Sequence, residues 1–290
     1  MNKEDCMDDQ ARKQLIDKLM AAAGSEIRIA YNKENVSATG SKTGGRPAVP
    51  DGFVWPEYEG VTLGETEAVS RPLAFLCQIN MKNVAPLDEK GLLPESGILS
   101  FFYELETMTW GFDPKDKGSA RVYYFPDETV LTAAELPDGL EEYSRLPELA
   151  MTFEKHISIP DISSFDDDTD WDDYNECAEE IGCGCDDYGD RTKLLGYPDV
   201  IQNPMEEECE AVSRGVYMGD GKSYKALSES EKADIAEKAK DWIMLFEMGT
   251  VEDGDYELMF GDGGHIYFWI RKDDLRERDF DNIWLILQCG

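Results

Sequence analysis

Basic residues are scarce in this chain. Its 290 residues carry 28 Lys and Arg against 62 Asp and Glu, a net charge of −34. A chain this acidic repels nucleic acid and anionic membrane, which sets both aside as direct partners. Long apolar runs are missing as well, so no segment reaches the length of a membrane span. The N-terminus, MNKEDCMDDQ, has neither the basic start nor the apolar stretch of a secretory signal. Seven cysteines, Cys6, Cys77, Cys177, Cys183, Cys185, Cys209 and Cys289, are odd in number and fall into no paired framework. Reduced thiols and a cytoplasmic setting are therefore expected. Histidine is nearly absent. His156 and His265 are the only two, and neither belongs to a recognisable catalytic or metal-binding motif.

A phosphate-binding loop is also missing, although residues 40–56, GSKTGGRPAVPDGFVWP, imitate the start of one. Such a loop needs Lys and then Ser or Thr after its last glycine, followed by a helix whose N-terminus faces the anion. Here Gly45 is followed by Arg46 and Pro47. Pro47, Pro50 and Pro56 remove backbone donors and bias their predecessors toward extended geometry. The stretch reads as a turn-rich segment that tucks Phe53, Val54 and Trp55 against a core.

What is present is a globular composition, 41% hydrophobic and 11% aromatic. A chain of this length buries enough surface to fold without disulfides, metal or cofactor. A second turn segment, LLGYPDVIQNP (194–204), shares G-x-P with the first, at Gly196-Tyr197-Pro198 and Gly45-Arg46-Pro47. Three apolar runs follow each: PLAFLCQIN, SGILSFFYE and ARVYYFP after the first, DWIMLFEMG, GGHIYFWIR and NIWLILQCG after the second. Each is short, rich in aromatic and aliphatic residues, and bounded by turn formers, which is the strand signature. The fold expected is α+β: one domain over residues 1–290, internally duplicated at 44–126 and 194–289, each copy a small, mostly antiparallel sheet with a few peripheral helices. Residues 72–126 should then superpose on 241–289.

Helices are expected over residues 8–23, where Leu15, Ile16, Leu19, Met20 and Ala23 share a face, and over 229–240 after a Ser228-x-x-Glu231 capping box. MTFEKHISIP (151–160) alternates as a half-exposed strand with His156 on its wet face. The opening G-G-x-P-x-x-P…W-P, PLAFLCQIN, LPESGILSFFY, LLGYPDVIQ, the GDGG turn at 261–264 and the final Gln288-Cys289 together resemble the YwqG-like family of bacterial proteins. The resemblance spans roughly residues 40–290, apart from an acidic insert at 161–190. It implies an α+β fold in a domain of unknown function, and it transfers no catalytic residue.

The insert nearly spells a calcium loop, with Asp168, Asp170 and Asp172 at the first, third and fifth positions and Glu176 and Glu179 at the ninth and twelfth. Asp173 stands where the sharp turn requires glycine, and a solvated acidic loop is the simpler reading. The spacing of Cys177, Cys183, Cys185 and Cys209 fits structural zinc poorly, and no metal site is expected. Cys77 lies in an apolar run and reads as core. Gln78 and Glu247 interrupt matching runs of the two copies, and Gln202 and Gln288 also stand in hydrophobic surroundings. Buried amides must find hydrogen bonds, and holding loop backbone is one role for them. The other is a pocket lined by Trp55, Gln78, Trp110 and Gln202. Three functions stay open: a non-enzymatic interaction protein, of inhibitor or immunity type, whose acidic face (Asp168, Asp170 and Asp172 included) engages a basic protein; a hydrolase with two carboxylates whose pKa values are pushed apart; and a small-molecule binder using the aromatic pocket.

Overall fold

The segment GSEIRIAYN alternates Ile27 and Ile29 with Glu26 and Arg28, a period of two. It forms β1 (Gly24–Asn32), which sends the isoleucines into the core and the charged pair to the opposite face. In the computed structural model, which describes residues 7–61, 66–165, 169–184 and 191–290, β1 pairs antiparallel along its length with β6 (Leu149–Ser158), Gly24 opposite Ser158 and Asn32 opposite Ala150.

This pair is the middle of a ten-stranded sheet. Outward from β6 lie β2 (Lys42–Thr43), β3 (Ala74–Asn80), β4 (Ile98–Tyr103) and β5 (Ala120–Phe125). Outward from β1 lie β7 (Thr192–Leu194), β8 (Trp242–Met248), β9 (His265–Arg271) and β10 (Trp284–Gln288). All of these pairings are antiparallel. With helices at the periphery, the fold class is α+β. The six apolar runs are the six longer strands of the two arms. They do not build two small sheets, because β1 and β6 join the arms into one.

The arms share local detail. A bulge interrupts β3 between Phe75 and Cys77, and another interrupts β8 between Met244 and Phe246. The bulged carbonyls are used alike: Leu76 O accepts from Gly44 N at 2.8 Å, Leu245 O from Leu195 N at 3.2 Å. Both chains then pass through left-handed backbone, Gly44–Gly45 at φ +58° and +69°, Leu195–Gly196 at +57° and +81°. At Gly44 space excludes a side chain too, since a Cβ would lie 2.2 Å from Leu146 O.

The sheet curls until its arms face each other. Phe101 of β4 meets Phe246 of β8 at 4.5 Å between ring centroids and Phe268 of β9 at 5.2 Å. At the edge, β10 gives Leu287 N–H to Trp110 O at 3.0 Å and Trp284 Nε1–H to Gly111 O at 2.8 Å. The loop between β4 and β5 thus covers one open edge.

Helix α1 (Asp9–Ala22) packs Leu15 and Leu19 on α2 (Trp171–Glu180), which offers Tyr174, Cys177 and Ala178. The latter corrects the expectation of an acidic loop. Asp170 caps α2 by accepting from Asp172 N and Asp173 N, and acids in a first turn complement the helix dipole. Residues at i, i+3 and i+4 then supply a buried stripe. Asp170 and Asp172 therefore belong to a helix start; Asp168 and Cys185 lie outside the described residues. Helix α3 (Glu206–Ser213) lies on β8 and β10, and α4 (Glu229–Ala239) carries the expected Ser228–Glu231 capping box. Among the described residues no helix is long and apolar enough to cross a membrane.

Candidate functional site

Strand periodicity places a set of charges on the outer face of the β1 arm. Lys193 of β7 stands between Arg28 of β1 and Glu247 of β8, and Glu247 in turn faces Tyr267 of β9. His265 opens β9 two residues before Tyr267, on the same face. The turn after β7 brings Asp199 over them. Its backbone N–H donates to Glu247 Oε2 at 3.2 Å, and its carbonyl accepts from the Tyr267 hydroxyl.

Lys193 is the hub. Its ammonium lies 2.9 Å from Asp199 Oδ1, 3.1 Å from Glu26 Oε2 and 3.5 Å from Glu247 Oε2, with both it and Glu247 at most 1% exposed. Arg191 reaches Asp199 Oδ1 at 3.0 Å, and Arg28 Nε reaches Glu26 Oε1 at 2.6 Å. Three carboxylates thus face three fixed cations, which makes burial of each charge tolerable. Burial works against the Lys193 ammonium, yet Asp199, Glu247 and Glu26 outweigh it and raise its pKa. Burial pushes Asp199 upward, but Lys193 and Arg191 hold it below the usual carboxylate range. For Glu247 burial wins over Lys193 and His265, and its pKa is raised.

His265 is fully buried, with Nδ1 2.6 Å from Glu247 Oε1. Burial lowers its pKa, but the hydrogen bond and charge of Glu247, with Asp199 behind, overcome both burial and Lys193, and the net shift is upward. A raised folded pKa means that folding binds a proton. The stability His265 contributes is therefore full below its ordinary value of 6.5 and fades as pH rises through the elevated folded value. The stability gap between wild type and His265→Gln should accordingly narrow from pH 6 to pH 9 in urea titrations. A gap that widens over this range would contradict the assignment.

Two atoms of this cluster have no partner among the described residues. Asp199 Oδ2 and His265 Nε2 are buried and make no hydrogen bond. Both residues line a cavity of about 320 Å³, whose floor also includes Glu26, Arg28 and Arg191. Its walls are Ile157, Ile159 and Val200 from the sheet side and Trp171 and Tyr174 from α2. Tyr174 is fixed there by its hydroxyl, which donates to Pro160 O at 2.7 Å.

Asp199, Glu247 and His265 bring three ligand atoms within 4.8 Å of one another, the geometry of a metal-holding group. The surrounding chemistry argues against an ion there. Lys193 already fills the cation position among the carboxylates, and Glu247 has both oxygens engaged, one by His265 and the other by Asp199 N–H and Lys193. Only two open donor atoms remain, fewer than the three protein ligands of an ordinary catalytic metal site.

None of the four residues of the expected aromatic pocket lines this cavity. Trp55 donates Nε1–H to Leu73 O at 2.8 Å and packs edge-on to Phe102 at 5.4 Å. Gln78, fully buried in β3, accepts from Ala48 N and donates to Ala38 O and Gly40 O, each at 2.8 Å. Trp110 is 37% exposed at the edge of the opposite arm. Gln202 donates to Cys289 O at 2.9 Å, while its backbone is held by Gln288 Oε1 at 3.0 Å. These amides hold loop backbone. The cysteines are dispersed as well, Cys177 and Cys183 beside α1, Cys209 under β8, Cys77 in the main core, where burial pushes its thiol well up.

Gln78 and Glu247 occupy matching places: each pairs with a buried lysine, Lys42 or Lys193, and each accepts from the turn segment, at Ala48 N or Asp199 N. In one arm the place is neutral, in the other it is charged and partnered by histidine. Residues 41–289 match the family model described as a domain of unknown function, DUF1963. The chain belongs to this family. The matched span holds Lys193, Asp199, Glu247 and His265, while Glu26 and Arg28 of the central strand β1 lie before it. No curated protein matches the chain.

Proposed function

We propose that this DUF1963 protein binds a small organic molecule in the cavity between the β1 arm and α2. One observation carries the reading: Asp199 and His265, whose Oδ2 and Nε2 are buried without partners among the described residues, line a cavity walled by Ile157, Ile159, Val200, Trp171 and Tyr174 together with the polar Ser158, Asp161 and Asn175. An unsatisfied buried polar atom costs about 1–3 kcal/mol, and a ligand that satisfies two of them recovers that cost on binding. The rim supports the reading too, because Trp171 is 63% exposed beside the opening, a large ring with one face free.

A thermal-shift panel of L-amino acids, dicarboxylates, monosaccharides and nucleosides tests this. At a hundred times its Kd a ligand adds about 2.7 kcal/mol, several degrees in Tm for a chain of this size. Members that stabilise wild type should lose their effect in Asp199→Asn and weaken in Trp171→Ala. A panel in which nothing raises Tm sinks the reading.

A second reading, acid–base chemistry on the bound molecule, has its own observation: Asp199 is held low while Glu247 is pushed up, and Glu247 orients the imidazole of His265, a residue that lines the cavity. We also propose that the arms descend from a duplication and that the second copy acquired the charged site, with the narrower kinship being to YwqG-like proteins. A cytoplasmic setting suits its free cysteines.

A further inference from the structure

A group in the lining recognises a ligand when it is both accessible and uncommitted. Asp199 Oδ2 and His265 Nε2 are themselves buried, so the end of a ligand that reaches the floor is read first by what is exposed there. Glu26 is buried and has one oxygen on Arg28 and the other on Lys193. Arg191 reaches Asp199 Oδ1 and Gly184 O and has a further contact besides. The hydroxyls are committed as well, Tyr174 to Pro160 O and Tyr197 to Ala22 O. In the wall, Asp161 spends Oδ1 on Ser163, whose N–H and hydroxyl both donate to it.

Arg28 differs. Its side chain is 26% exposed, and Nε is spent on Glu26 Oε1 at 2.6 Å. The cross-strand neighbours do not take the remaining nitrogens. Lys193 on one side is a cation, and Glu154 on the other is exposed and leans to His156 Nε2 at 3.6 Å. The outer edge of the guanidinium therefore has no acceptor among the described residues, and its two parallel N–H groups are spaced for a carboxylate.

Size and charge narrow the class. At about 320 Å³ the cavity is small among ligand pockets, which begin near 300 Å³. A single guanidinium edge matches a single carboxylate. A phosphate monoester would bring a second negative charge to that edge, beside Glu26, Asp161 and Asp199. A cationic ligand would face Arg28 and Arg191 and leave the open edge unmet. Hydrocarbon beyond the carboxylate covers Ile157, Ile159 and Val200, which otherwise face water.

Resting on that small-molecule reading, we propose that the cavity takes a small monocarboxylic acid with an apolar body, its carboxylate on the outer edge of Arg28. The hydrocarbon lies against Ile157, Ile159 and Val200 and reaches toward Trp171.

Calorimetry on the full chain at pH 7 tests this with 3-phenylpropanoate, hexanoate, 3-phenylpropanamide, 3-phenylpropylamine and phenyl phosphate. The two carboxylates should bind. The amide and the amine, which keep the body and lose the anion, should each bind roughly 10- to 100-fold more weakly, the range for losing charge-assisted hydrogen bonds. Arg28→Gln should lower the affinity for 3-phenylpropanoate to that of the amide while leaving the amide unchanged, a split that a merely loosened fold would not produce. Arg28→Lys, which keeps a cation beside Glu26 but not the fork, should fall between. Trp171→Ala, at an exposed position where folding is safe, should weaken 3-phenylpropanoate more than hexanoate. An amide that binds as tightly as its carboxylate, or a silent Arg28→Gln, overturns the inference. Tighter binding of the amine or of phenyl phosphate than of 3-phenylpropanoate overturns it too. If neither carboxylate binds but a sugar or nucleoside stabilises wild type and not Asp199→Asn, this inference falls and the small-molecule reading stands. Binding of nothing in either experiment removes both.

Discussion

Replacing Lys193 with Met should cost the protein about 3–5 kcal/mol, the range for breaking a buried ionic network by removing one partner. The ammonium touches Glu26, Asp199 and Glu247 from a position 1% exposed. Without it three carboxylates face Arg28, Arg191 and the imidazole alone. Lys193 lowers the pKa of Asp199 and of Glu247, so without it both rise in the folded state and the folded variant binds extra protons. By linkage the deficit is then smaller at pH 5 than at pH 8. Lys42 is the matched control. It is 3% exposed, but its carboxylate partner Glu148 is 44% exposed and keeps its water when the lysine is gone. Lys42→Met should cost less than about 2 kcal/mol, because the charge left behind is not buried. Urea titrations of both variants at the two pH values check the pair. Equal losses at Lys193 and Lys42, or a deficit at Lys193 that grows in acid, would contradict the buried network.

Replacing Phe101 with Ala should cost about 3–5 kcal/mol, as for other buried phenylalanines. Phe101 is wholly buried at the seam where the arms meet, 4.5 Å from Phe246 and 5.2 Å from Phe268. Neighbours from two arms are each anchored in their own strands, so they cannot close the cavity left behind, and the upper part of the range is expected. Phe101→Leu, which keeps most of the volume, should lose less than half as much. Denaturant midpoints of the two variants give the comparison; a loss below about 1 kcal/mol for Phe101→Ala would mean that the seam repacks freely.

Much of the secondary structure was legible locally. The runs at 72–80, 96–104, 120–126, 241–249, 263–271 and 282–290 signal strands through aromatic and β-branched content, and each contains one. The Ser228 capping box announces α4, and the alternation in 151–160 announces β6. Other parts were quieter. β2 and β7 are two and three residues long, too short for any period to show. β1 does alternate, Ile27 and Ile29 against Glu26 and Arg28, and that pattern was the signal available for it. Helix α2 was hidden by its own acidity, since Asp170, Asp172 and Asp173 serve as cap and first turn while resembling calcium ligands.

The site was legible only in fragments. Glu247 stands out in the sequence as a charge inside an apolar run at the place matching Gln78, and His265 as one of two histidines. Nothing local ties them to Glu26, more than two hundred residues upstream of Glu247, or to Asp199 in a proline-containing turn. By itself the sequence determined the α+β class, the strand runs, the Ser228 capping box and a net charge of −34, because propensity, periodicity and charge are legible without tertiary contacts. Tertiary structure alone decided that β1 and β6 join the arms into one sheet and that Glu26, Lys193, Asp199, Glu247 and His265 converge under a cavity. The reason is physical: pairing register, two bulges and two left-handed turns set which side chains meet, and these depend on contacts between residues far apart in the chain.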